Sequence, residues 1–274
     1  MNKLTVEDLE IGGKRVLMRV DFNVPLEGGK IANDKRIRAA LPTIRYVVEN
    51  RGRLILMSHL GRPKGKRVAE MSLKPCVAVL SELIGKEVAF VDDCIGKPVD
   101  AAVAGLGDGE VLLLENLRYY QQETDNDPDF AAQLARAGDV YVNDAFGTAH
   151  RAHASTEGVT HHIDQCAAGF LMMKEIEYLG GVMENPEKPF VAMLGGAKIS
   201  GKIDVISNLL PKVDRLIIGG GMAYTFFKAR GMEIGHSLLD EDKIEVAAEL
   251  LQQGGEKIVL PVDCIVSDKF DFEK

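Results

Sequence analysis

Arg19-Val20-Asp21-Phe22-Asn23-Val24-Pro25 closes a short apolar run, Val16-Leu17-Met18. A run of that length reads as a buried strand, and Pro25, which has no backbone N–H, marks where pairing stops. Asp21 and Asn23 therefore stand at the carboxyl end of a strand. Open α/β sheets place their ligands beyond those ends, so the reading of the whole chain turns on whether later strands end in the same kind of chemistry.

Three of them do. Arg53-Leu54-Ile55-Leu56-Met57 runs into Ser58-His59-Leu60-Gly61-Arg62-Pro63, and Val111-Leu112-Leu113-Leu114 runs into Glu115-Asn116-Leu117-Arg118. Val140-Tyr141-Val142 leads to Asn143-Asp144 and on to His150-Arg151-Ala152-His153. Helical patterns separate them. Asn33 or Asp34 caps a helix carrying Arg36, Ile37, Ala40, Ile44 and Val47, in which Pro42 predicts a kink or a later start. A second helix runs from Ser72 to Ile84, ended by Gly85, and is followed by a strand at Val88–Val91. Asp127-Pro128 opens a third, through Phe130 and Leu134, closed by Gly138. This alternation predicts a mostly parallel sheet with helices on both faces. Its loops on one side collect Asp21, Asn23, His59, Arg62, Arg118, His150 and Arg151, with Arg36 reaching in from its helix. Guanidinium groups bind carboxylate and phosphate bidentately, so the cluster fits a phosphorylated acid. His161, His162 and His236 have no such company and read as surface or capping residues. His150-x-x-His153 lacks a Cys or carboxylate partner, and no metal site is assigned.

From Gly169 to Gly181 the pattern is helical, and Asn185-Pro186-Glu187-Lys188-Pro189 breaks it. The expected organisation is a first domain over 1–168, a connecting helix and hinge over 169–189, and a partial second domain over 190–274. There, Val191–Leu194 leads into Gly195-Gly196-Ala197-Lys198-Ile199-Ser200-Gly201-Lys202. Paired glycines let the backbone approach a ligand, and a helix starting at this point would aim its first amides at a phosphate, with Lys198 and Lys202 on one face. The Walker pattern is absent. Arg215–Ile218 leads into Gly219-Gly220-Gly221-Met222 and a helix through Tyr224, Phe226 and Phe227. Three glycines at a strand end leave room for a flat base. Lys257–Leu260, followed by Pro261-Val262-Asp263 and Ile265-Val266, completes only about three strands.

Composition sets the remaining limits. The 274 residues are 46% hydrophobic and 27% charged, with no apolar run near bilayer length. Acids follow Met1 closely where a signal peptide needs an apolar core, so a soluble, cytoplasmic protein is expected. Cys76, Cys94, Cys166 and Cys264 are too widely spaced for a zinc site or a disulfide framework and read as free thiols. A net charge of −8 argues against nucleic acid or an anionic membrane as partner. An anion site must be a local cluster.

Seven motifs in order resemble the phosphoglycerate kinase family: Arg19–Pro25, His59–Pro63, Leu114–Arg118, Ala145–His153, Leu194–Lys198, Gly219–Met222 and Leu260–Asp263. The resemblance implies two doubly wound, Rossmann-like α/β lobes with a cleft between them, the second incomplete. It implies a glycolytic kinase that moves a phosphoryl group between 1,3-bisphosphoglycerate and ADP, as a monomer, with Mg2+ accompanying ADP or ATP. Asp21, Asn23, Arg36, His59, Arg62, Arg118 and Arg151 would hold 3-phosphoglycerate. Arg36 and Lys198 would meet the phosphoryl group in flight. Lys198 and Lys202 would hold nucleotide phosphate, and Gly195, Gly196, Gly219, Gly220 and Leu238 would line the purine pocket. Family members continue beyond Lys274 through a late Gly-Gly-Gly-Asp turn that positions magnesium, so the chain is expected to keep the acid site and bind nucleotide poorly. The rival expectation is a catalytically impaired phosphoanion-binding form. A nicotinamide oxidoreductase has only Gly219-Gly220-Gly221 in its favour and lacks Gly-x-Gly-x-x-Gly after the first strand.

Overall fold

The apolar run that opened the reading is β1 (Arg15–Arg19), and it lies inside a parallel sheet. A computed structural model describes residues 3–184, 186–265 and 267. Met1, Asn185, Val266 and Lys274 lie outside the described residues. The chain divides into two units, Met1–Tyr178 and Leu179–Lys274.

In the first unit β1 is followed by a two-stranded hairpin, β2 (Leu26–Glu27) and β3 (Lys30–Ile31), turned by Gly28 and Gly29 at φ 57° and 75°. Then come α1 (Lys35–Glu49), β4 (Arg53–Met57), α2 (Lys74–Ile84), β5 (Val88–Val91), α3 (Lys97–Ala104) and β6 (Val111–Leu114). The unit continues with α4 (Gln121–Asp125), α5 (Pro128–Ala135), β7 (Val140–Asn143) and β8 (Cys166–Ala168). Six strands pair in the order β5-β6-β4-β1-β7-β8, all parallel. Arg19 is level with Met57 on one side and Asn143 on the other, so three strand ends deliver their loops to the same height.

Successive residues of these strands enter opposite cores. Val16, Met18, Leu54 and Leu56 pack with Ile37 and Ile44 of α1 and Leu80 of α2, while Leu17, Ile55 and Tyr141 pack with Val99 and Val103 of α3 and Phe130 and Leu134 of α5. Burial on both faces is why the strands read as unbroken apolar runs.

α1 begins at its expected cap and passes through Pro42. Asn33 Oδ1 accepts from Lys35 N at 3.0 Å and Asp34 Oδ2 from Arg38 Nε at 2.9 Å, while Ile37, Ala40, Ile44 and Val47 are buried. That burial outweighs the donor Pro42 lacks, and the later start does not occur.

α6 (Phe170–Glu184) contains the point of division. Its first turn is held by Thr43 Oγ1, which accepts from Phe170 N at 3.0 Å, and by Asp144 Oδ1, which accepts from Met172 N at 3.1 Å. The second unit consists of β9 (Val191–Gly195), α7 (Ile203–Leu209), β10 (Arg215–Gly219), α8 (Ala223–Ala229), α9 (Ile244–Gly254) and β11 (Ile258–Val259). Its three parallel strands run in the order β11-β10-β9 over a core that includes Ile206, Leu216, Ile218, Phe226, Ala247 and Leu250. Among the described residues no helix is long and apolar enough to cross a membrane.

Candidate active site

Beyond the carboxyl ends of β1, β4, β6 and β7 lies a cavity of about 230 Å³ lined by Asp21, Asn23, Arg36, His59, Gly61, Arg62, Arg118, Gly147, Thr148 and Arg151. All seven residues expected to hold the acid line it. His150, grouped with them from the sequence, does not; it is exposed and meets Arg151 Nε at 3.3 Å. Four guanidinium groups face one carboxylate here. Arg36 Nη1 donates to Asp21 Oδ2, which aims the half-exposed Arg36 into the cavity from α1.

Backbone contacts hold the loops in place. Asn23 Oδ1 accepts from Gly61 N at 2.9 Å, Ser58 Oγ from Phe22 N at 2.8 Å, and Gly61 O from Arg118 Nη1 at 2.9 Å. Behind Arg118, the buried Asn116 accepts from Leu60 N and Arg118 N and donates to the carbonyls of Leu60 and Met71. Glu115, equally buried, accepts from Ser72 Oγ at 2.6 Å and Leu73 N at 2.9 Å. The two residues between the last apolar position of β6 and Arg118 therefore fasten three loops together.

The electrostatics follow from burial. His59, 4% exposed, is pushed down to about 2 by loss of solvent and by the neighbouring Arg19, Arg118, Arg36 and His153. It is thus a neutral ring among the cations and not one of them. His153 is lowered to about 4, again by burial first and then by Arg118 and Arg151. Arg118 is lowered by burial and by Arg19 and Arg151. The fully buried Glu123 is raised by loss of solvent, against the opposing pull of Arg19 and Ser155. Sequence reading gave no role to Arg19, Glu123, Ser155, Gly147 or Thr148. For Arg19 a signal existed: a cation closing an otherwise apolar strand must be buried.

In the second unit the glycine loops meet. Met222 N donates to Gly196 O at 2.8 Å, and a Cβ on Gly220, whose φ is 68°, would lie 3.1 Å from both N and O of Gly196. A Cβ on Gly221 would meet Leu238 Cδ1 at 3.1 Å, and one on Gly196 would lie 4.0 Å from Lys202 Cε. Gly196, Gly220, Lys202 and Leu238 thus border one glycine-walled surface, with Gly195 paired to Gly219 beneath it. Asp240 Oδ2 accepts from Ser200 N at 3.0 Å and ties the following loop to it. The expected helix start at Lys198 is not found. Ser200–Lys202 form a 3₁₀ turn and α7 begins only at Ile203, so Lys198 sits exposed in the loop after β9.

The sequence model of the phosphoglycerate kinase family matches residues 6–274. The chain is 58% identical to the phosphoglycerate kinase of Chloroherpeton thalassium over 274 residues, covering 99% of this chain and 69% of that protein. It is 59% identical over 273 residues to that of Moorella thermoacetica, covering 98% and 69%. Among solved structures, the phosphoglycerate kinase of Coxiella burnetii superposes with a TM-score of 0.84 at 42% identity, over 98% of this chain and 68% of that one. That of Pyrococcus horikoshii OT3 gives 0.81 at 32% identity, over 94% and 67%.

Proposed function

Because the chain belongs to the phosphoglycerate kinase family, kinases that transfer a phosphoryl group reversibly between 1,3-bisphosphoglycerate and ADP, we propose that the cavity over β1, β4, β6 and β7 is its acid-substrate site. The observation that carries this is the convergence of Arg36, Arg62, Arg118 and Arg151 with Asp21, Asn23 and His59 in one cavity of about 230 Å³. Arg62, Arg118 and Arg151 hold the phosphate of 3-phosphoglycerate or 1,3-bisphosphoglycerate. Asp21 offers a carboxylate to the substrate's hydroxyl, and Asn23 offers its amide N–H to the carboxyl end.

In the reverse direction an oxygen of the 3-phosphoglycerate carboxylate forms the new bond to the γ-phosphorus of ATP, the bond to the bridging oxygen breaks, and ADP departs with the electron pair. The acceptor is already ionised at neutral pH, so no general base is required. The obstacle is charge: a carboxylate must approach a phosphoryl group carrying negative oxygens, and cations at those oxygens remove the barrier. Arg36, pinned by Asp21, and Lys198 fill that role. Lys198 and Lys202 hold nucleotide phosphate, and Gly195, Gly196, Gly219, Gly220 and Leu238 form the base pocket. Magnesium would accompany the nucleotide phosphates and screen their charge; among the described residues no group of three or more His, Cys, Asp or Glu side chains is arranged to hold a metal ion. The same reading gives domains over 1–168 and 190–274 joined by 169–189, a cytoplasmic location, a monomer, and no nucleic-acid or membrane partner.

Replacing Arg62, Arg118 or Arg151 singly by Ala tests the site. Each is expected to weaken 3-phosphoglycerate binding by about tenfold or more, the value of a charge-assisted hydrogen bond. Unchanged affinity in all three contradicts the assignment.

A further inference from the structure

Arg19 is among the largest fully buried side chains of the described residues and does not line the acid cavity. Each of its three guanidinium nitrogens nevertheless has a partner. Nη2 lies 3.0 Å from His59 Nδ1, Nε donates to Ser155 Oγ at 2.9 Å, and Nη1 donates to Val20 O. Ser155 in turn donates from Oγ to Glu123 Oε1 at 2.7 Å and from its backbone N to Oε2 at 2.9 Å. A chain of hydrogen bonds thus runs from buried Glu123 through Ser155 and Arg19 to His59, and ends at the cavity wall.

An arginine in a protein keeps all five N–H groups and accepts nothing. At the Arg19 contact the ring nitrogen must therefore be the acceptor, which puts the ring proton on Nε2. Nε2 has no hydrogen-bond partner among the described residues, and the ring lines the cavity. We infer that Arg19 is a positioning residue that fixes His59 as the neutral ring protonated on Nε2, so that His59 meets the phosphorylated acid as a hydrogen-bond donor and not as a cation. The substrate half of this statement rests on the acid-site reading above; the tautomer half does not.

The surroundings agree from every side. Arg19 of β1, Arg36 of α1, Arg62 after β4, Arg118 after β6, and Arg151 and His153 after β7 surround the ring or its cavity, and Asp21 is the one acid among the residues lining that cavity. Five guanidinium groups already supply positive charge. A further charge on the ring would place N–H against N–H at Arg19 and cost that hydrogen bond, whereas a fixed neutral donor adds directional selection for an oxyanion. Glu123 balances the buried charge of Arg19 through Ser155, which lets an arginine occupy this position without solvent.

Nitrogen-15 correlated NMR of the imidazole groups tests this on the native chain between pH 5 and 8, with and without 3-phosphoglycerate. The expected result is a His59 ring that carries its proton on Nε2 throughout and does not titrate, while in Arg19→Met the single tautomer is lost and the Nδ1-protonated ring appears beside it. A native His59 that titrates near its ordinary value, or carries its proton on Nδ1, overturns the inference whether or not the variant folds. The binding arm uses His59→Gln, whose amide retains a donor, beside His59→Ala. Gln is expected to bind 3-phosphoglycerate within about threefold of native and Ala about tenfold more weakly. Equal losses overturn the donor role. No loss in Ala overturns the acid-site reading and leaves the tautomer result standing.

Discussion

The two units bring charge to a ligand by different means. In the first, the cationic cavity stands on a layer of buried polar groups, Arg19, His59, Glu115, Asn116, Glu123 and Ser155, which hydrogen-bond one another and the loop backbones before any ligand arrives. In the second, the proposed nucleotide surface is made of backbone: Gly220 lies so close to Gly196 that a Cβ on it would press the Gly196 backbone, while Lys198 stands exposed on its loop. The sheets differ in the same sense. β1 is covered on both faces, whereas Met193 of β9 is 73% exposed. On the proposed reading, a small acid with fixed charges is met by side chains locked from behind, and a phosphate chain and a flat base by amides and bare backbone.

Removing the buried counter-charge should break the first arrangement most severely. Glu123→Leu leaves Arg19 buried without its acid, and urea unfolding is expected to show a loss of about 3–5 kcal/mol; a loss under about 1 kcal/mol would mean that the layer positions residues without stabilising the unit. Next in size is a kinetic effect. Arg36→Ala should cost about 3 kcal/mol in the transfer step while changing 3-phosphoglycerate affinity less, if its guanidinium acts chiefly on the transferring group as proposed. Equal losses in kcat and affinity would make it a binding residue like Arg62.

Acid sensitivity sharpens the contrast. His59 lies at about 2 in the folded chain against an ordinary 6.5, so below 6.5 the unfolded chain binds the extra proton. The neutral ring's contribution is complete above pH 6.5 and is lost as pH falls toward 2, by up to about 1.4 kcal/mol per pH unit. His153, at about 4, adds in the same direction, whereas the raised Glu123 acts oppositely. Between pH 7 and 5 the native chain should therefore lose about 2 kcal/mol more than His59→Gln in urea unfolding; equal losses would show that the ring is charged in the folded state. The smallest effect belongs to the second unit. Gly220→Ala forces a left-handed backbone on a residue with a Cβ and presses Gly196, costing about 1–2 kcal/mol in stability, with weaker ADP binding. Unchanged ADP affinity would remove the glycine surface from the nucleotide site.

The strand ends were legible in the sequence because five cavity residues follow an apolar run within a few positions: Asp21 and Asn23 after β1, His59 and Arg62 after β4, Arg118 after β6. What supports them was not. Glu123 sits on the five-residue α4 and Ser155 in a loop, so neither has a periodic signal, and their partner Arg19 is separated from them by more than a hundred positions. The charge state of His59 depends on its burial and on that distant contact, and neither has a local trace. Lys198 and Lys202 were placed on one helical face by spacing alone, but the 3₁₀ turn at Ser200–Lys202 shifts the helix start beyond both. β8, Cys166-Ala167-Ala168, is too short and too poor in branched residues to read as a strand, and α3 begins beside Gly96 and Pro98, which resemble loop chemistry.

On the proposed reading, the buried layer of the first unit holds a preformed site for the phosphorylated acid. Amide NMR of the native chain titrated with 3-phosphoglycerate locates that site directly. The account predicts shifts concentrated at Asn23, Gly61, Arg62, Gly147, Thr148 and Arg151, with the amides of Gly195, Gly196, Gly219 and Gly220 unmoved. Shifts confined to the glycine loops, or none at millimolar ligand, would contradict it.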